Sequence, residues 1–191
     1  MSTDARTIWI RRTILMLVIG LLVAVPVTLL VRSGSGADRA PAPDVQTPSL
    51  GKIEVDNALE VTFKLPKGWR SKREGSVLGL RSGDGTTGIT ISAPGPAGDA
   101  EELRTAVLAD LRSSFERFQV TKQFKRKIGG LKGHLATIDA SRAKQGPSSL
   151  LVGTAAGKEK AYLVVVSSAG KEPTDSLVEA QAVLNEIELK G

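Results

Sequence analysis

The chain has 191 residues, a formal net charge of +6 and no cysteine. That length holds one soluble domain large enough to bury its own core without a staple. The missing thiols exclude disulfides, thiolate zinc sites, iron–sulfur clusters, a cysteine nucleophile and a lipidated cysteine together.

Residues 1–12 form a short stub in which Arg6, Arg11 and Arg12 outweigh Asp4. Residues 13–31, TILMLVIGLLVAVPVTLLV, carry no charge. As a helix rising ~1.5 Å per residue they reach roughly 28 Å, close to the hydrocarbon thickness of a bilayer. The expectation is a single transmembrane helix in the plasma membrane. The preceding arginines hold the N-terminus in the cytoplasm and place the rest outside. The rival is a cleaved signal peptide, since Ser35-Gly36-Ala37 offers small residues to a peptidase. The apolar run exceeds the usual signal core, so retention as a signal anchor is expected.

Residues 32–50, RSGSGADRAPAPDVQTPSL, are too poor in large apolar side chains to fold and read as a flexible linker. The charge divides along the chain. Residues 1–50 hold five arginines against three aspartates, a balance of +2, and residues 51–191 hold twenty-one basic against seventeen acidic residues, +4. An outer domain this mildly basic suits a polyanionic envelope or anionic lipid heads, and nucleic acid is not expected there.

The domain at 51–191 opens with alternation at 59–65, a half-buried strand, followed by a β-turn over Leu65-Pro66-Lys67-Gly68. Residues 77–81 and 87–93 flank Gly83-Asp84-Gly85 as a hairpin. Asp99 and Glu102 read as a helix cap, and Leu103, Val107, Leu111, Phe115 and Phe118 recur at helical spacing, predicting a helix near 100–117. Residues 118–128 return to strand, with Phe118, Val120, Phe124 and Ile128 on one face. Lys122 and Arg126 then share that apolar face, which requires either a bulge or a position at the sheet edge. Strands at 131–142, 150–156 and 161–167 follow, the last two apolar on both faces and so needing cover on both. A second helix begins after Pro173 with Thr174, Asp175 or Ser176 as cap, and buries Leu177, Ala180, Leu184 and Ile187. The fold class is α+β, an antiparallel sheet with a helix on each face, an α/β/α sandwich.

Val61-Thr62-Phe63-Lys64-Leu65-Pro66-Lys67-Gly68-Trp69, Gly88-Ile89-Thr90-Ile91, Ile128-Gly129-Gly130-Leu131-Lys132-Gly133-His134-Leu135-Ala136 and Ala161-Tyr162-Leu163-Val164-Val165 appear in that order around the two helices. In this the chain resembles the PsbP-like superfamily and is similar to bacterial LpqN-type envelope proteins. The resemblance implies an antiparallel sheet between helices and a binding or accessory role, with no shared active site to carry over. It departs at the anchor, because the LpqN type uses a lipidated cysteine.

Catalytic patterns fail on context. Gly83–Gly88 matches G-x-G-x-x-G by letter, but a β-branched strand follows where a dinucleotide site needs a helix. Ser168-Ala169-Gly170-Lys171 matches S-x-x-K without its partner motifs. His134 is the sole histidine, and Asp139 falls on the opposite face of its strand. No enzyme activity, cofactor or metal is expected.

Two basic groups remain, Lys64, Lys67, Arg70, Lys72 and Arg73, and Lys122, Lys125, Arg126 and Lys127. They are the candidate patches for an anionic partner. The function expected is a membrane-anchored, extracytoplasmic binding or accessory domain that docks an envelope protein. The alternative is a carrier holding a lipid or other apolar ligand between sheet and helix.

Overall fold

The computed structural model describes residues 50–96, 98–142, 146–170 and 175–191. The expected stub, the expected membrane span at 13–31 and the expected linker up to residue 49 lie outside the described residues. Among those described, no helix is long and apolar enough to cross a membrane.

Among the described residues ten strands and two helices follow in the order β1 (Leu50–Asp56), β2 (Val61–Pro66), β3 (Arg70–Glu74), β4 (Val77–Arg81), β5 (Thr87–Pro96), α1 (Ala100–Ser113), β6 (Arg117–Ile128), β7 (Leu131–Arg142), β8 (Gly146–Ala156), β9 (Lys160–Ala169), α2 (Asp175–Glu186) and β10 (Glu188–Leu189). The strands form two antiparallel sheets, one of seven in the order β3-β4-β5-β9-β8-β7-β6 and one of three in the order β1-β2-β10. The expected meander of β6 to β9 is present, and β9 closes back on β5.

The two-sided strands sit in the middle of the large sheet, where both faces are covered. On one face α1 presses Leu103, Val107 and Leu111 onto Ile138, Leu150, Val152, Leu163 and Val165. On the other face Ile89, Ile91, Leu135, Tyr162, Val164 and Val166 meet Val61, Phe63, Ala180, Val183, Ile187 and Leu189 from the small sheet and α2. Fully burying one such aliphatic or aromatic side chain contributes about 1.5–3 kcal/mol, so both layers are held by packing. Asp99 accepts from the Glu101 amide at 2.8 Å and caps α1 as expected.

Several expectations need correction. The cover on the second face is a helix together with a second sheet. Its outer strands, β1 and β10, show no apolar alternation long enough to reveal them. Helix α1 stops at Ser113, and Phe115 and Phe118 pack from the return into β6. The β-turn lies one residue later than expected. The Trp69 amide donates to the Pro66 carbonyl at 3.2 Å, and Gly68, third in the turn, takes φ +86°, a value that favours glycine there. Ile187 is buried but lies beyond the end of α2.

Candidate docking edges

The strand order places Arg70, Lys72 and Arg73 of the first basic group at one edge of the seven-stranded sheet and the second group at the other. Lys64 lies on β2 of the small sheet, and its partner Glu186 is next in sequence to Asn185, the partner of Arg126. β3 is one edge of the seven-stranded sheet and β6 is the other.

At the first edge, lysines and arginines meet acids. Lys64 on β2 pairs with Glu186 at the end of α2 at 2.9 Å. On β3, Lys72 pairs with Glu74 at 2.6 Å, and this hydrogen bond raises the Lys72 ammonium above its ordinary pKa. Arg73 reaches Asp56 at 3.0 Å, while the same carboxylate accepts the amides of Ala58 and Leu59 at 3.1 and 2.9 Å. Ser71 donates to Glu54 at 2.7 Å. The register of β1 on β2 turns Glu54 and Asp56 to the same side as buried Phe63, toward β3. A cleft of about 190 Å³ opens there, lined by Glu54, Val55, Asp56, Phe63, Ser71, Lys72, Arg73 and Leu78. Lys67, in the turn, and Arg70, at the start of β3, are exposed and make no ion pair with a described residue.

The second edge is built differently. Ladder register shifts between Val120 and Lys122, so the sequence dilemma of bulge or edge resolves as both. Val120 lies opposite Ile138 on the α1 side, whereas Phe124 lies opposite Leu135 on the α2 side. The expected single apolar face is therefore split by the bulge at Thr121. Phe118 and Val120 pack toward α1, and Ile128 packs toward the small sheet and α2. Lys122, Phe124 and Arg126 follow Ile128 on the α2 side, and Gln123, Lys125 and Lys127 take the α1 side. Gln123 there accepts from Arg104 of α1 at 2.6 Å, and Arg126 donates to Asn185 of α2. All four cations are exposed, and none forms an ion pair with a described residue.

The remaining sequence candidates have structural placements. The Gly83–Gly88 loop joins β4 to β5, and its polar groups turn to the start of α2. Thr86 and Thr87 lie 3.0 and 2.8 Å from the Ser176 hydroxyl, and Asp84 accepts from Ser82 and the Thr86 amide. These bonds hold Asp84 below its ordinary pKa despite desolvation, the largest influence, which acts upward. His134 on β7 lies 4.0 Å from Glu101 and faces α1. Among the described residues no group of three or more acids or histidines is placed to hold a metal.

One cluster was not foreseen. Glu60 takes φ 58°, a left-handed value that costs a non-glycine residue about 1–2 kcal/mol. Its carboxylate binds Lys160 and, at 3.2 Å, Lys190, and these hydrogen bonds, Lys160 first, hold it below its ordinary pKa. Its carbonyl accepts the Lys190 amide at 3.1 Å, and the Tyr162 hydroxyl donates to the Lys190 carbonyl at 2.9 Å. The partners lie 100 and 130 residues away in sequence, so no local pattern announces them.

A large antiparallel sheet with one helix on one face, and a helix with a small sheet on the other, is a PsbP-like fold, related to that of LpqN-type envelope proteins. The solution structure of cyanobacterial PsbP from Synechocystis sp. PCC 6803 matches at TM-score 0.55 and 13% identity, over 78% of this chain and 98% of that one. LpqN of Mycobacterium tuberculosis, described as involved in cell envelope biogenesis, matches at TM-score 0.52 and 16% identity, over 69% of this chain and 83% of its own. A Bacteroides thetaiotaomicron protein matches at TM-score 0.51 and 16% identity over 74% of this chain, which spans only 49% of that protein. At these identities the likeness concerns the fold. No family model and no curated protein matches the sequence.

Proposed function

We propose that the protein is a non-enzymatic binding or accessory module, tethered through residues 13–31 with its domain outside the plasma membrane, and that it docks an acidic envelope protein on the β6 edge. The observation that carries this is the run of Lys122, Lys125, Arg126 and Lys127 along an exposed sheet edge with no described acid in ion-pair contact. The likeness in fold to LpqN, an envelope-biogenesis protein, supports the location and the accessory role. The uncharged run after a basic stub supports the tether.

The carrier reading has less behind it. The cleft beside β3 holds about 190 Å³, below the ~300–1,000 Å³ common for small-ligand sites, and charged and polar side chains make up much of its wall.

The test is capture from native membranes by the full-length protein, comparing Lys122→Glu/Lys125→Glu/Lys127→Glu with Lys67→Glu/Arg70→Glu/Lys72→Glu. Loss of a stoichiometric partner in the β6 variant alone is the expected result. Undiminished capture by the β6 variant would overturn the assignment.

A further inference from the structure

We propose that β6 is a strand-addition site, at which an extended acidic segment of a partner protein pairs with the backbone of Lys122–Ile128. This rests on the β6 edge being the docking face and specifies how docking occurs.

Among the described residues β6 terminates the strand order, so along its outer side every second N–H and C=O meets no described strand. The bulge marks where the regular stretch begins. From Lys122 opposite Thr137 to Ile128 opposite Leu131 the ladder to β7 runs without a shift. A regular, extended edge is a template for one more strand, and backbone pairing would supply affinity while alternate side chains supply selectivity.

Charge chooses the occupant. On the α2 side the incoming strand would meet Lys122 and Arg126 with Phe124 between them, 43% exposed. On the α1 side it would meet Lys125 and Lys127, with Lys132 beside Lys127 on β7. Lysines on an edge repel a second copy of that same edge, so self-pairing is disfavoured. A strand carrying carboxylates removes that repulsion and gains opposite-charge neighbours on both faces. An apolar side chain opposite Phe124 would cover the exposed ring. The β3 edge offers no equal template, because its five residues include Glu74, and of its three cations Lys72 and Arg73 are already paired, leaving only Arg70 without an ion pair to a described residue.

The probe is a labelled peptide with glutamates on both faces of an extended strand and one valine placed to lie opposite Phe124, long enough to span Lys122–Ile128, titrated against the full-length protein in detergent by fluorescence anisotropy. Two further peptides carry N-methyl groups on one or the other alternate set of amides, so that only one has blocked the donors facing β6. The parent peptide is expected to bind. One methylated peptide should bind at least about tenfold more weakly, as expected for losing several backbone hydrogen bonds, while the other keeps its affinity. Hydrogen exchange should show new protection at alternate amides within residues 122–128. Equal affinity of all three peptides, still abolished by Lys122→Glu/Lys125→Glu/Lys127→Glu, would overturn strand addition and leave docking by charge alone. Absence of peptide binding, with anionic vesicles of phosphatidylglycerol retained by the same lysines, would overturn it in favour of a lipid surface. If neither peptide nor native partner responds to the lysine substitutions, the docking face itself is wrong. An unchanged unfolding midpoint for the triple variant confirms that the fold is intact in each comparison.

Discussion

The two edges of the large sheet are alike in composition and unlike in chemistry. β3 and β6 both carry clustered lysine and arginine, yet Arg73 and Lys72 on β3 end in ion pairs, and Lys122, Lys125, Arg126 and Lys127 on β6 form none with a described residue. The difference lies in what stands across from each strand. β3 faces β1 of the second sheet, which brings Glu54 and Asp56 to it. β6 has α2 nearby, but the group that α2 offers to Arg126 is the neutral amide of Asn185. A basic run in sequence thus becomes a structural seam in one place and an uncompensated face in the other.

The seam can be broken hardest through its anchor. Trp69 precedes β3, is 6% exposed and donates from Nε1 to Glu179 of α2 at 2.7 Å. Trp69→Ala should lower unfolding free energy by about 3–5 kcal/mol, read by urea denaturation, from lost burial and cavity formation. Asp56→Ala comes next, at about 1–3 kcal/mol, because two amides and Arg73 lose one acceptor together. Asp56→Asn keeps an oxygen for those amides and should cost much less. Combined with Glu186→Gln it frees Arg73 and Lys64, and in a β6-reversed background it should raise affinity for an acidic peptide a few-fold, the size expected of exposed charges. No gain would show that β3 differs from β6 by more than neutralisation.

The smallest effect concerns Glu60. Its carboxyl titrates below the ordinary value when folded, so the stabilisation is fully present above the unfolded pKa and disappears as pH falls through the folded one. Glu60→Gln should flatten that acid limb of the stability curve and speed exchange of the Leu189 and Lys190 amides, while the β6 amides keep their rates.

How much of this was legible follows from the range of each interaction. The hairpins, the cap and start of the first helix and the two-sided β8 and β9 are written in local periodicity, and the structure has them there, although the helix ends at Ser113, before the pattern does. The bulge at Thr121 was legible as a conflict, since Lys122 and Arg126 violated the alternation. Its consequence, that Phe124 leaves the side of Phe118 and Val120, required a register. β1 was missed because Gly51, Lys52, Ile53 and Glu54 give no inward apolar rhythm, and Ile53 and Val55 remain exposed. With β1 missed, the acids that neutralise Arg73 and bind Ser71 were invisible. So was Glu186 against Lys64, 122 residues away.

The pairing of β10 with β2 joins Glu188 and Leu189 to Thr62 and Val61, nearly opposite ends of the domain. The Leu189 amide donates to Gly129, and Leu189 is 6% exposed. A chain made or threaded N-terminus first therefore cannot complete its small sheet until residues 188–190 have emerged. Closing so long a loop is also entropically slow. Until then Val61 and Phe63 lack part of their final cover, so the apolar face between the two sheets closes last.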